Sequence, residues 1–301
     1  MNKQKQKSSK LSEINPLSFK PGILYVLATP IGNLEDLTLR AIRILKEVDF
    51  IFCEDKRVTI KLLNKYQIKS QLIPFHKFNE SSQANLILSY LQVGKNIALV
   101  SDAGTPLISD PGSTLISFLT ENKVEIVPIP GPSALVTALS ACPFPMDNFL
   151  FIGFLPSSKS QREKLITSLS TRAQNVVIYV APHDFQKYVK EIHGIYPGIK
   201  VFYGREITKL YEEFWSGSIK ELAEDLDAKK IKGEIVLCLH FDKAENHNVS
   251  DKPTKEELIN AMKKLREDGC SLKEASKILS NKFDLSSKSL YDMYLVKSGS
   301  K

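Results

Sequence analysis

Ile23-Leu24-Tyr25-Val26-Leu27-Ala28-Thr29-Pro30-Ile31-Gly32-Asn33 passes from an unbroken apolar run straight into a Pro-x-Gly turn. A short run without polar alternation is the pattern of a strand buried on both faces, as in a parallel sheet. Similar runs recur at Phe50–Cys53, Ile97–Val100 and Val124–Val127. Helical patterns lie between them, such as Leu37, Ala41, Ile44, Leu45 and Val48 at spacings of three and four. This alternation with short connections predicts an α/β sheet.

A second series of strands is predicted at Phe149–Leu155, Val176–Ala181, Val201–Ile207 and Ile235–His240, with helices near 160–169, 184–193 and 218–228. The Pro-rich segment Pro128–Pro132 marks the join, so the predicted domains run over 22–130 and 131–245. Residues 1–21 form a polar, lysine-rich tail expected to be mobile. Residues 253–298 change character. Thr254-x-x-Glu257 and Ser271-x-x-Glu274 are capping boxes, in which hydroxyl and carboxylate satisfy free N–H groups at a helix start. Leu258, Met262 and Leu265 make one apolar stripe before a stop at Gly269, and Leu272, Ala275, Ile278 and Leu279 make another. A third helix opens near Ser286 or Ser287 and carries Leu290, Tyr294 and Leu295. Three such helices read as a helix-turn-helix-like module or as a plain helical cap on the body.

The 301 residues allow two domains and a sizeable core. Hydrophobic residues at 43% and charged residues at 25% exclude wholesale disorder. There is no apolar run of about 18 residues to span a membrane and no secretory pattern at the N-terminus. The net charge of +7 is uneven: residues 1–20 carry +4 and residues 251–301 carry +3, leaving the body neutral. The ends are therefore the candidates for holding a polyanion. Cys53, Cys142, Cys238 and Cys270 form no C-x-x-C pair, and with five histidines a zinc site is not expected. This usage fits a reducing, cytoplasmic setting.

Three turn clusters follow strands directly: Thr29–Asn33, Ser101-Asp102-Ala103-Gly104-Thr105-Pro106, and Pro130-Gly131-Pro132-Ser133-Ala134. Parallel strands bring such turns to one edge, where open α/β sheets bind ligands. Gly32 reads either as a turn glycine at positive φ or as part of that site. Ser133 reads either as a helix cap or as a donor to a ligand. Neither a G-x-G-x-x-G fingerprint nor a phosphate loop is present. Glu54-Asp55-Lys56-Arg57 and His76-Lys77-Phe78-Asn79-Glu80 are charged segments that read as solvated helix starts or as a polar wall around a substrate.

Several of these strings resemble a known family. Leu24-Tyr25-x-x-x-Thr29-Pro30-Ile31-Gly32-Asn33-Leu34-x-Asp36-Leu37-Thr38-x-Arg40 is similar to the opening of the ribosomal RNA small subunit methyltransferase I family, within the tetrapyrrole methylase superfamily of class III methyltransferases. Ser101–Pro106 with Ile108 and Asp110-Pro111-Gly112 resembles its central signature. Pro130–Ala134, Gly153–Pro156, Arg205-Glu206-x-Thr208-Lys209, Lys232-Gly233-Glu234 and the Lys288–Tyr291 region agree in order. Three positions depart from the pattern. Lys56 stands where the family has Thr, and Tyr179-Val180-Ala181-Pro182-His183-Asp184 lacks an acid at Val180 and a base at Asp184.

The resemblance implies two α/β domains of the tetrapyrrole methylase type with S-adenosyl-L-methionine in the cleft between them, and a homodimer. It implies methylation of a cytidine 2'-hydroxyl in the decoding region of small-subunit (16S) rRNA. Other class III methyltransferases act on tetrapyrrole precursors or diphthamide, and a non-catalytic RNA-binding assembly factor is a further alternative. The implied cofactor residues are Pro30, Gly32, Asp102, Ala103, Gly104, Thr105, Pro106, Ser133, Ala134 and Tyr179. Glu54, Asp55 and Glu80 are the candidate bases, and Arg57 and Lys77 the candidates for holding a phosphate.

Overall fold

The computed structural model describes residues 20–226, 231–241, 255–267, 270–283 and 285–298. Strands β1 (Ile23–Leu27), β2 (Phe50–Cys53), β3 (Gln71–Pro74), β4 (Ile97–Val100) and β5 (Glu125–Ile129) form a sheet in the order β3-β2-β4-β1-β5. Every pairing in it is parallel. Helices α1 (Leu39–Glu47) and α2 (Lys56–Lys65) cover one face, meeting Leu27, Ile51, Ala98 and Val100. Helices α3 (Glu80–Gln92) and α4 (Ser113–Glu121) cover the other, meeting Leu24, Val26, Phe52 and Leu99. Alternate residues of each strand thus enter different cores, which is why the strands read as continuous apolar runs. A fully buried Ile51 or Phe52 contributes about 1.5–3 kcal/mol from its burial. Strand β3 escaped the sequence reading because it has four residues, lies at the sheet edge and ends in Pro74.

The second sheet has a different construction. Strands β6 (Leu150–Phe154), β7 (Asn175–Val180), β8 (Lys200–Arg205), β9 (Glu213–Ser218) and β10 (Ile235–His240) lie in the order β6-β7-β10-β8-β9. Of its pairings, only that between β6 and β7 is parallel. Helix α5 (Ala134–Ser140) packs on one face, with Ala138 among Val177, Phe202, Val236 and Cys238. On the other face lie α6 (Lys159–Thr167), α7 (Leu169–Arg172), α8 (Pro182–Ile195) and α9 (Ile219–Leu226). Arg162 of α6 is 1% exposed there. It donates to both carboxylate oxygens of Glu191, at 2.6 and 2.8 Å, and to the carbonyls of Pro156 and Ser157, each at 2.9 Å. Strand β9, polar and glycine-containing, is an edge strand that the sequence reading also missed.

Helices α10 (Lys255–Glu267), α11 (Leu272–Phe283) and α12 (Ser287–Ser298) enclose a core of their own around Leu258, Met262, Leu279 and Leu290. The Ser271–Glu274 capping box forms in full: Ser271 N and Oγ donate to Glu274 Oε2, and Glu274 N donates to Ser271 Oγ. Ile278, expected in the stripe, is 45% exposed instead. Thr254, Gly269 and residues 1–19 of the basic tail lie outside the described residues.

Candidate active site

The three turn clusters do meet. Thr29 and Gly104 exchange two backbone hydrogen bonds of 2.9 Å, and Thr29 Oγ1 donates to the Ser101 carbonyl at 3.0 Å. Thr105 Oγ1 reaches the Pro132 carbonyl at 3.2 Å. The loop they frame holds two non-glycine residues at positive φ, Leu107 at 74° and Ser109 at 68°. Each such conformation costs on the order of 1–3 kcal/mol and tends to be kept where a ligand is gripped.

Between the two sheets opens a cavity of about 440 Å³, within the range of about 300–1,000 Å³ usual for small-molecule sites. From the first sheet come Ile31, Glu54, Asp102 to Thr105, and Ile108 to Asp110; from beyond the join come Ser133 and Ala134. The second sheet adds Phe154, Tyr179 to Pro182, Ile207, Lys209 and Glu234 to Val236. Tyr179 meets Phe154 edge to face, with ring centroids 5.7 Å apart. Strand register explains this edge. Val180 and Arg205 both pair with Ile235, so the carboxyl ends of β7 and β8 and the amino end of β10 face the cavity together.

Of the expected cofactor residues, Asp102, Ala103, Gly104, Thr105, Ser133, Ala134 and Tyr179 line this cavity. Pro30, Gly32 and Pro106 do not line it. Pro30 and Pro106 are buried beside lining residues. Gly32 is not among the positive-φ glycines. It is needed for close approach: a Cβ there would stand 2.5 Å from Lys209 Cγ and 3.1 Å from the Ile207 carbonyl. Asn33 N also donates to Thr208 Oγ1 at 3.0 Å, so this turn closes the two lobes on each other. Ser133 makes no capping hydrogen bond.

The charged candidates separate sharply. Asp55 Oδ1 accepts from Arg57 N at 2.8 Å to cap α2, and its two oxygens take the Arg57 guanidinium at 2.6–3.1 Å. The Arg57 bond holds the Asp55 carboxyl below its usual range, which suits a cap and not a base. Glu80 is corrected more strongly. Its Oε1 accepts from Leu115 N at 3.0 Å and from Thr114 Oγ1, so it ties α3 to the start of α4 and is absent from the cavity wall. Glu54 sits on the rim, where partial burial and the nearby Asp102 raise its carboxyl. Asp102 is likewise raised by burial, although its Oδ1 accepts from Asp55 N at 2.9 Å.

Asp110 is the acid that the candidate set lacked. Burial, with repulsion from Glu54 behind it, pushes its carboxyl to about 6. Its Asp-Pro-Gly context was visible, but only the fold shows that it faces Glu54 and Asp102. Outside this cavity, Glu54, Asp55, Lys56, Pro74, His76, Lys77, Phe78 and Asp102 line an open groove. Glu54 and Asp102 belong to both spaces.

Residues 23–223 match the family described as Tetrapyrrole (Corrin/Porphyrin) Methylases. The chain is 38% identical over 279 residues to ribosomal RNA small subunit methyltransferase I of Bacillus subtilis (strain 168), covering 92% of this chain and 95% of that one. The chain belongs to the ribosomal RNA small subunit methyltransferase I family. The relative of that name from Thermotoga maritima is 42% identical over 218 residues, 72% of this chain but 98% of its own. That family member thus has no counterpart to more than a quarter of this chain. The fold matches uroporphyrin-III C-methyl transferase from Thermus thermophilus complexed with S-adenyl homocysteine, at a TM-score of 0.53 and 18% identity over 73% of this chain and 97% of that one.

As a member of this methyltransferase family the protein uses S-adenosyl-L-methionine, and the cavity fits it. Gly104 and Thr105 bring backbone to the wall, Phe154 and Tyr179 supply aromatic surface, and Glu54, Asp102 and Asp110 face the space with carboxylates suited to a cation. The two departures within Tyr179–Asp184 take separate places. Val180 lines the cavity at 2% exposure. Asp184 lies in the first turn of α8, away from the wall, with Lys187 Nζ 3.0 Å from its Oδ1. A carboxylate there is favoured by the helix dipole.

Proposed function

We propose that the protein methylates the ribose 2'-hydroxyl of a cytidine in the decoding region of small-subunit rRNA. The observation that carries this reading is that the cofactor cavity and the open groove share Glu54 and Asp102 as a common wall. S-adenosyl-L-methionine supplies an electrophilic methyl on a sulfonium. Phe154 and Tyr179 would hold the cofactor's adenine against their rings, and Asp102 and Asp110 would face its positive charge. A 2'-hydroxyl is a weak nucleophile until its proton can leave. Glu54, on the shared wall and with no hydrogen-bond donor fixed to its carboxylate among the described residues, takes that proton. Holding the two reactants in line contributes up to about 7–11 kcal/mol of barrier lowering. Lys77 and the exposed Arg57 hold backbone phosphates near the groove.

The working unit is a homodimer in the cytoplasm. Leu210, Tyr211 and Val136 are 89%, 71% and 62% exposed on the single chain, which supports a second copy covering them. No helix among the described residues is long and apolar enough to cross a membrane.

The test uses methyl-labelled S-adenosyl-L-methionine and small subunits from cells lacking this enzyme. Label recovered in an alkali-stable dinucleotide supports ribose methylation. Folded, cofactor-binding protein that leaves the rRNA unlabelled overturns it.

A further inference from the structure

Phe75 and Phe78 are three residues apart on the connection from β3 to α3, and they behave oppositely. Phe75 is 2% exposed in the core on the α3–α4 face of the first sheet, and its N–H donates to the Cys53 carbonyl at 2.8 Å. Phe78 is 84% exposed. The loop carrying it is braced: Asn79 Oδ1 accepts from His76 N at 2.8 Å, and Asn79 Nδ2 donates to the Pro74 carbonyl at 3.0 Å. A large apolar ring is therefore presented to solvent by an ordered turn, at the edge of the groove that meets the cofactor cavity. Lys77 Nζ lies 4.9 Å from the Phe78 ring centroid, and the His76 ring stands edge-on to it at 6.0 Å. His76 Nδ1 is shielded from solvent and has no hydrogen-bond partner among the described residues.

An exposed aromatic face and an adjacent ammonium form the combination that takes a single-stranded nucleotide. Every base has a face to stack, and the lysine meets the phosphate. Before its 2'-oxygen can reach the shared wall, a nucleotide must leave its neighbours' stack, and an aromatic platform offsets part of that loss. We propose that the groove between the β2–α2 turn and the β3–α3 loop seats the acceptor nucleotide, with its base stacked on Phe78 and its phosphate on Lys77. The proposal rests on the RNA-methylating reading above and names the acceptor's seat within it.

The test compares wild type, Phe78→Ala and Phe78→Tyr in two assays. The first is binding of a cytidine-centred single-stranded oligoribonucleotide in the presence of S-adenosylhomocysteine. The second is steady-state methylation of unmodified small subunits. Phe78→Ala should weaken oligonucleotide binding about 5- to 150-fold. It should raise KM more than it lowers kcat and leave cofactor affinity by calorimetry unchanged; Phe78→Tyr should restore both. Lys77→Ala should lower the salt slope of oligonucleotide binding by about 0.7. Methylating wild type with a Phe78→Ala variant equal to it in both assays overturns the groove while the function stands. Wild type inactive on subunits, with Phe78→Ala still weakened for the oligonucleotide, retains the groove and overturns the function.

Discussion

The two sheets face the same cavity by opposite means. In the first, all strands run parallel, so every turn that follows a strand arrives at one edge, and Thr29–Asn33, Ser101–Pro106 and Pro130–Ala134 cluster without further design. In the second, β10 runs against both β7 and β8, so its amino end, Ile235 and Val236, joins the carboxyl ends of its neighbours. Parallel order makes a site readable from where strands end. Mixed order mingles starts and ends, and nothing local in the chain says which of them faces the ligand.

The proposed mechanism puts the proton-handling chemistry in the first lobe, and Glu54→Gln is the sharpest way to break it. We expect kcat to fall about 10²–10⁴-fold with cofactor affinity within twofold of wild type. An unchanged kcat would move the base elsewhere, with Asp110 next in line. The second lobe should answer to stability before chemistry. Arg162→Met leaves the Glu191 carboxylate and two carbonyls without their partner and should cost about 3 kcal/mol in denaturant unfolding. A loss below about 1 kcal/mol would mean that the side of the lobe away from the cavity relaxes freely.

Gly32→Ala tests the contact between the lobes. Its Cβ meets Lys209 Cγ and the Ile207 carbonyl, so the loop must move. We expect about 1–3 kcal/mol lost, split between stability and cofactor binding. Calorimetry showing neither would remove Gly32 from the lobe contact.

The last test concerns pH. Asp110 carries a folded value of about 6 against an ordinary 3.8, so the folded state binds its proton more tightly than the unfolded state. Its contribution to stability is therefore present at low pH and is lost as pH rises from about 4 to 6. Asp110→Asn should gain on wild type across that window and hold a constant advantage above it. A difference that is flat from pH 4 to 7 would show that the carboxyl is not perturbed.

Much of the first lobe and of the C-terminal helices was legible because their signals are local. Continuous apolar runs reveal strands covered on both faces, and Ser271 with Glu274 declares a helix start by chemistry contained in four residues. Edge strands β3 and β9 were not legible, because an edge needs no continuous apolar run and tolerates Pro74 or Gly217. The charged segments were the least legible. Glu54 and Asp55 are adjacent in sequence, yet one remains on the cavity rim while the other is held by Arg57.

The sequence by itself determined a parallel α/β first lobe, turns gathered at its carboxyl edge, three C-terminal helices and the family signatures. Only the tertiary structure decided that Glu80 ties two helices, that Gly32 serves the lobe contact, that Asp110 joins the acids of the cavity, and that Phe154, Lys209 and Glu234 complete the wall. The physical reason is range. Strand runs, caps and turns are decided by neighbours within a few residues. The role of a carboxylate depends on which distant donors and charges the fold brings to within a few ångströms of it.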